Sequence, residues 1–504
     1  MSLLATVLAV FYAAGMAVLL VYGLNLLWMA LVHARHDVLR PGPVPDPDAV
    51  PEPDDHWPVV TVQLPLYNEA FVAERLIDAC ARLRYPRRRL EIQVLDDSTD
   101  HTTALVARRV RTWRARGLDI LHIHRTDRAG FKAGALQNGL RLARGELVAV
   151  FDADFIPPPD FLLRTVPAFE DERVGLVQAR WGHLNDDASL LTRMQAFGLD
   201  THFAVEQHVR SLAGCFINFN GTAGVWRAAC IEDAGGWQSD TLTEDLDLSY
   251  RAQLRGWQCR YLPDVEVPAE LPVDINAFRT QQFRWTKGAV QTARKLLGPL
   301  WRSDLPAGVK LEGTLHLTAH SVFPFVALVA VLHAPLLGLS DRGYGPGATF
   351  FAVMGLGLLG FAGFFLAQLF AQRALYPDWP RRLLRFPLFM AGSMGLALNN
   401  SRALIQALRG KTSVFVRTPK YAVRRHRPAR AWWRTPYAES RIPPLVWLEL
   451  LLALYCLAGL VLLLLQGAWA AAPFQAFFAL GFGLVAGFNL HQFFLSRTVP
   501  PGPA

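Results

Sequence analysis

Cysteine is scarce, with five in 504 residues (Cys80, Cys215, Cys230, Cys259, Cys456) and none at metal-ligand spacing. An odd, scattered set argues against a disulfide framework and a zinc ribbon. No Gly-x-Gly-x-x-Gly and no P-loop follows any of the strands read below, which excludes a dinucleotide fold and a P-loop ATPase. No internal repeat is evident. No soluble stretch gathers Lys and Arg on one face, so nucleic acid is excluded as a partner. No basic residue precedes the first apolar run, and its core is too long for a cleaved signal peptide.

What the chain has in excess is apolar sequence, 52% by composition. The excess is concentrated in runs long enough to cross a bilayer, at 3–32, 315–339, 349–371, 445–465 and 470–494. The stretch 386–408 carries Asn399, Asn400, Ser401 and Arg402 and reads as an interfacial helix. Arg35 and Arg40 follow the first run, Arg373, Arg381, Arg382 and Arg385 the third, and a dense basic segment from Arg409 to Arg434 precedes the fourth. The positive-inside rule places all three segments in the cytoplasm. The net charge of +9 then reflects inner loops beside anionic membrane lipid. The expected order is a transmembrane helix (1–34), a linker (35–57), a cytoplasmic domain (58–305) and two transmembrane helices (306–372). An interfacial helix with a basic loop (373–443), two more transmembrane helices (444–496) and a tail (497–504) complete the chain.

Within 58–305 strands and helices alternate. Runs at 59–64, 90–95, 120–124 and 147–151 read as strands, and 69–83, 103–116 and 130–143 as helices. This pattern predicts an α/β domain with a parallel-rich sheet and helices on both faces. The last strand runs through Leu147-Val148-Ala149-Val150 and stops on Phe151-Asp152-Ala153-Asp154. Open α/β sheets bind ligands at the carboxyl ends of their strands. Two carboxylates there suit Mg²⁺ or Mn²⁺, whose remaining ligands are commonly substrate phosphates, so a nucleoside diphosphate is the expected ligand. The first two strands end in Tyr67-Asn68-Glu69 and Asp96-Asp97-Ser98-Thr99-Asp100. Asp100 reads as a helix cap.

Transfer from a nucleoside diphosphate needs a base for the acceptor and a sink for the leaving charge. Glu244 and Asp245 open a helix, and adjacent acids raise each other's pKa; capping by Thr243 is the competing reading. Arg284 offers a planar bidentate donor for phosphate oxygens. Lys132 adds a point charge or is a solvated lysine, and Trp285 stacks on a sugar or is a packing aromatic. His183 and His202 read as structural histidines.

Taken together these residues resemble the inverting family 2 glycosyltransferases of the GT-A fold. Among them they are most similar to the cellulose-synthase superfamily, particularly the plant cellulose-synthase-like mannan and glucan synthases and their bacterial relatives. The resemblance implies that Asp97 in DDSTD reads the base or ribose and that Lys132 in FKAGAL and Glu69 lie near the nucleotide. Asp152 and Asp154 match the metal and diphosphate motif. Asn220, Gly221 and Thr222 in FNGTAG match the acceptor floor. Thr243-Glu244-Asp245 matches the motif whose Asp is the catalytic base, with Glu244 toward the acceptor. Gln281, Arg284 and Trp285 match a Q-x-x-R-W signature. Phe415, Thr418 and Lys420 resemble a gating loop, although Arg417 stands where the family has Val; a lipid-binding basic loop is the equal alternative. No cyclic-di-GMP domain is expected.

The resemblance implies transfer of a hexose from UDP-glucose or GDP-mannose to a β-linked polysaccharide, β-1,4-glucan or mannan, with Mg²⁺ or Mn²⁺ as cofactor. A lipid glycosyltransferase similar to ceramide glucosyltransferase, with a lipid acceptor, is the second reading. A transporter or scaffold with a nucleotide-binding domain is the third, and it leaves the co-occurring base, metal and acceptor motifs unexplained.

Overall fold

The expected strands form because both of their faces are covered, which lets near-continuous apolar runs persist in a parallel sheet. The computed structural model describes residues 2–36, 56–413, 415–423, 432–435, 437 and 441–497. Most of the expected linker, Val414, most of the basic segment after Val423, and the tail beyond Arg497 lie outside the described residues. One sheet is built from β1 (Val60–Leu66), β2 (Leu90–Asp96), β3 (Ile120–His124), β4 (Leu147–Val150), β5 (Val174–His183), β6 (Gly224–Arg227) and β7 (Gln258–Ala269). Its order is β3-β2-β1-β4-β6-β5-β7.

The four amino-terminal strands are parallel. The chain winds outward from β1 to β3 and then returns to the other side of β1 as β4, so the direction of winding reverses between β1 and β4. Such a switch point leaves a crevice at the carboxyl edge. β6 runs antiparallel to both β4 and β5, and β5 pairs with β7 in parallel with breaks in register. Val62, Leu64, Ile92 and Val94 pack one face against the helices Ala73–Cys80 and Thr102–Arg114. Val148, Val150, Leu176 and Trp226 pack the other against Phe131–Leu140 and Glu244–Leu254. Each fully buried Val or Leu contributes about 1.5–3 kcal/mol relative to exposure.

Local turns correct the expected boundaries. Asn68 has a φ of 55°, which turns the chain and shortens the expected helix 69–83 to Ala73–Cys80. Glu69 therefore sits in the turn at the end of β1 instead of inside a helix.

Five helices are long and apolar enough to cross a membrane: Leu3–Arg35, Ala307–Asp341, Ala348–Leu375, Leu445–Leu465 and Ala472–Ser496. Large side chains such as Leu451, Leu454 and Leu462 remain exposed on them, as a lipid-facing surface requires. The first and third helices touch where glycines meet: a Cβ on Gly23 would lie 2.3 Å from Gly360 Cα. Small residues permit this close approach of backbones. The segment 386–408 is interrupted at Leu396, giving Phe386–Gly395 and Ala397–Leu408, and neither piece is among the five long apolar helices.

Candidate active site

The carboxyl ends of β2, β1 and β4 open into one cavity, and nearly all of the expected site residues line it. Glu69, Asp97, Lys132, Asp152, Asp154, Asn220, Gly221, Glu244, Asp245, Gln281, Arg284 and Trp285 are among its walls, as are Phe415, Thr418 and Lys420. Thr222 is the exception. It is fully buried beneath the floor, and its hydroxyl accepts a hydrogen bond from the Asp152 backbone N–H at 2.9 Å.

Two lysines engage the acidic pair. Lys132 Nζ lies 2.5 Å from Asp152 Oδ1 and 2.8 Å from the carbonyl of Gly221. Lys420 Nζ lies 2.5 Å from Asp154 Oδ2 and 2.6 Å from the carbonyl of Glu270. Burial pushes the Asp152 carboxyl up, against the pull of Lys132. For Lys132 burial acts downward, but the carboxylates of Asp152 and Glu244 outweigh it and the ammonium is held above its usual value. Each acid thus already faces a positive charge in a restricted space. Hard carboxylate oxygens directed into a cavity that gathers cations are the donor set that Mg²⁺ or Mn²⁺ takes, so these residues fit a divalent ion.

Asp245 sits across the floor at the start of helix Glu244–Leu254. Thr243 precedes the helix but its side chain makes no capping bond; it points instead to Thr292, 3.3 Å away. The capping reading of this motif is therefore not realised. Burial, and next the neighbouring Glu244, raise the Asp245 carboxyl above the usual carboxylate range. Glu244 is raised by burial against the charge of Lys132. A carboxyl poised in this way accepts a proton near neutral pH. Gly221 gives it room: its φ is +82°, and a Cβ there would lie 2.9 Å from Asp245 Oδ2.

Arg284 closes the roof. One of its terminal nitrogens, Nη2, donates to Thr418 Oγ1 at 3.1 Å, and its guanidinium lies 4.3 Å over the Phe415 ring. Its buried Nε has no hydrogen-bond partner among the described residues, which leaves donor capacity for an anion. Phe415 also stacks on Phe131, and Arg417 reaches to 3.4 Å from Glu69. Burial raises Glu69 to about 8 despite Arg417. The segment 415–420 therefore folds over the site, with Phe415, Arg417, Thr418 and Lys420 among its walls.

Several lining or supporting residues were not expected. Arg125 grips Asp97 with both arms, at 2.7 Å and 2.5 Å. A register in which Asp96 lies opposite His124 carries this signal, because it sets Arg125 beside Asp97. Gln178 holds the floor by accepting from Asn220 N at 3.0 Å and donating to the Thr222 carbonyl at 3.1 Å. Arg128 lies 3.3 Å over the Tyr67 ring, and Glu270 pairs with Arg75 at 3.2 Å. No spacing in the sequence ties these residues to the site. Asp100 accepts from Thr102 N at 2.9 Å, but it stands one residue before the cap position, which His101 occupies without a side-chain capping bond. His183 pairs with Asp200 at 2.9 Å and His202 with Asn220 at 3.0 Å, both as satisfied histidines.

A mixed sheet with a switch-point cavity, over which helix Ile275–Arg302 brings an arginine, defines a GT-A-type α/β domain joined to a helical membrane region. Comparison with known proteins is specific about the domain. Residues 58–288 match the family described as "Glycosyltransferase like family 2". Glucomannan 4-beta-mannosyltransferase 2 of Arabidopsis thaliana is 47% identical over 253 residues, 49% of this chain and 47% of that protein. Glucomannan 4-beta-mannosyltransferase 1 of Oryza sativa subsp. japonica is 44% identical over 308 residues, 59% of each chain. The chain thus spans about half the length of the curated relatives it matches. Among solved structures it is similar to the mannosyltransferase PcManGT from Pyrobaculum calidifontis, in complex with GDP-Man and Mn²⁺. That match has a TM-score of 0.53 at 22% identity and covers 80% of this chain and 100% of the other.

Proposed function

We propose that this protein is a membrane-embedded inverting glycosyltransferase that moves mannose from GDP-mannose onto a growing β-linked mannan or glucomannan chain. The observation that carries the proposal is the convergence, around one cavity, of a raised carboxyl (Asp245), an acidic pair (Asp152, Asp154) and two cations (Lys132, Arg284). The relatives named as glucomannan 4-beta-mannosyltransferases, and the neighbour bound to GDP-Man, support mannose and guanosine over glucose and uridine. The positive-inside pattern supports a cytoplasmic domain, with the later helices in contact with membrane lipid.

Asp245 takes the proton of the acceptor hydroxyl, whose oxygen forms a bond to the anomeric carbon. The bond from that carbon to the diphosphate oxygen breaks, and the electron pair leaves with the nucleoside diphosphate. Attack opposite to departure inverts the anomeric centre. Lys132 and Arg284 supply fixed positive charge for the departing diphosphate, a preorganised stabilisation that water would have to reorganise to provide. A divalent ion, Mg²⁺ or Mn²⁺, held by Asp152 and Asp154 supplies further neutralisation of phosphate charge when bound. Asn220, Gly221 and Trp285 bind the acceptor, while Thr222 and Gln178 hold that floor from below.

Purified protein in lipid nanodiscs, given radiolabelled GDP-mannose and UDP-glucose in parallel, tests the reading. A polymer that β-mannan-specific hydrolase degrades is expected from GDP-mannose. A single mannosyl lipid would move the assignment to a glycolipid enzyme. Asp245→Asn is expected to lower transfer by at least about 10³-fold while GDP binding persists, an effect of the order of losing a general base. Undiminished transfer by that variant removes Asp245 from the mechanism.

A further inference from the structure

Arg128 lies in the turn between β3 and helix Phe131–Leu140 and lines the same cavity as Asp97 and Tyr67. Its guanidinium is stacked 3.3 Å over the Tyr67 ring and lies 5.1 Å from the centre of the Phe131 ring. Its Nε is buried without a hydrogen-bond partner among the described residues. The adjacent carboxylate, Asp97, is already taken by both arms of Arg125. Among the described residues Arg128 is thus a guanidinium held by aromatic rings and not by an acid. Burial acts to lower its pKa, a cost that a ligand carrying hydrogen-bond acceptors would offset.

Position decides which part of the donor it meets. The diphosphate belongs at the end of β4, beside Asp152 and Asp154. Asp97 stands at the end of β2, on the far side of β1 from β4, and Arg128 follows β3, one strand further out, with its guanidinium reaching back over Tyr67. Two inter-strand spacings separate the ends of β2 and β4 by roughly 10 Å, the reach of a nucleoside from its phosphate to the outer edge of its base. Guanine presents N7 and O6 side by side, a pair of acceptors that the arginine fork matches with two parallel bonds. Uracil has no such adjacent pair.

We propose that Arg128 reads the base of the donor nucleotide and selects guanine over uracil. This deepens the donor assignment made above and rests on it. Tyr67 fixes the plane of the fork, and Arg125 neutralises Asp97 so that the acid does not capture Arg128 instead.

The test is nucleotide binding by the full chain in nanodiscs with Mn²⁺, measured by calorimetry with GDP and UDP. Wild-type protein is expected to prefer GDP by about tenfold or more, as a bidentate guanine contact supports. Arg128→Met should weaken GDP by about that factor and leave UDP nearly unchanged. Arg128→Lys should behave in the same way, since charge without the fork does not restore the pair of bonds. An equal loss for both nucleotides would mean that Arg128 touches the diphosphate, and would overturn the proposal; so would no loss. Two analogues test the wild-type protein without relying on a variant that must fold. Inosine diphosphate, which keeps N7 and O6, should bind like GDP. 7-Deaza-GDP, which lacks the N7 acceptor, should bind several-fold more weakly, and equal binding overturns the proposal. Tighter binding of UDP than GDP by wild-type protein also overturns it, whichever sugar is transferred. A GDP preference governed by Arg128, in a protein that makes no mannan, leaves this inference standing and removes the polymer assignment.

Discussion

Asp245 and Glu244 share a buried corner with Lys132, and their titration sets when the site can work. Burial favours the neutral acid at both, and the carboxylate of Glu244 further disfavours ionisation of Asp245. The group that accepts the hydroxyl proton must first lose its own. Transfer is therefore expected to rise with pH as the pair ionises, along a limb displaced upward from the ordinary carboxylate range. Glu244→Gln removes the neighbouring negative charge, so the ascending limb of kcat/KM should move to lower pH. An unmoved limb would mean that another group controls it. Stability has the opposite sign. A carboxyl whose pKa is raised in the folded state stabilises the fold below its unfolded pKa, and that contribution is lost as pH climbs through the raised value. The same burial that tunes the base destabilises the fold at the pH where the base is active.

At the scale of elements, the strand ends and the loop after helix Ala397–Leu408 divide the work. The strand ends were legible in the sequence because two physical facts coincide. Runs such as Leu147-Val148-Ala149-Val150 are apolar throughout only where both faces are buried, and polar residues reappear where the chain leaves the sheet. Asp97, Asp152 and Asp154 therefore stood out. The antiparallel β6 and the irregular pairing of β5 with β7 did not, since their register depends on partners distant in the chain. Arg125 and Gln178 were hidden for the same reason: what they hold is fixed by neighbouring strands. The loop shows the limit of a motif. Arg417 departs from the family pattern, yet the loop lies over the cavity, with Arg417 turned toward Glu69 and Tyr437. Lys420 occupies Asp154, a position that a divalent ion would share. Lys420→Met should tighten binding of Mn²⁺ alone, followed by electron paramagnetic resonance of the free ion, by at least about fivefold. That is the effect expected from removing one unit charge at contact distance in a partly wet site. Transfer by the same variant should slow, because the loop loses its anchor. Unchanged Mn²⁺ affinity would show that the lysine and the ion do not compete.

At the scale of the whole molecule, buried ion pairs tie the α/β domain to the membrane helices. Arg210 meets Glu312 at 2.6 Å, and Arg279 meets Glu449 through two bonds of 2.9 Å and 2.8 Å, while Arg382, on the short helix Trp379–Leu383 after the third of those helices, meets Asp186 at 2.8 Å. Arg279 lies on helix Ile275–Arg302, which also carries Gln281, Arg284 and Trp285, so its anchor fixes the roof of the site as well as the domain. Glu449 lies on the fourth apolar helix and is fully buried. Removing one partner leaves the other charge desolvated and unpaired, at a cost of about 3–5 kcal/mol, whereas replacing both with apolar residues is often neutral. Glu449→Ala should therefore lower the unfolding midpoint sharply and slow transfer, although residue 449 touches no part of the cavity. The pair Arg279→Met with Glu449→Leu should recover most of the midpoint. If it also recovers transfer, the bridge serves stability alone; if transfer stays low, the guanidinium–carboxylate geometry is what holds Arg284 over the acids. Equal midpoints for the single and double variants would mean that the pair is not desolvated, and that the domain is held to the membrane by its apolar contacts.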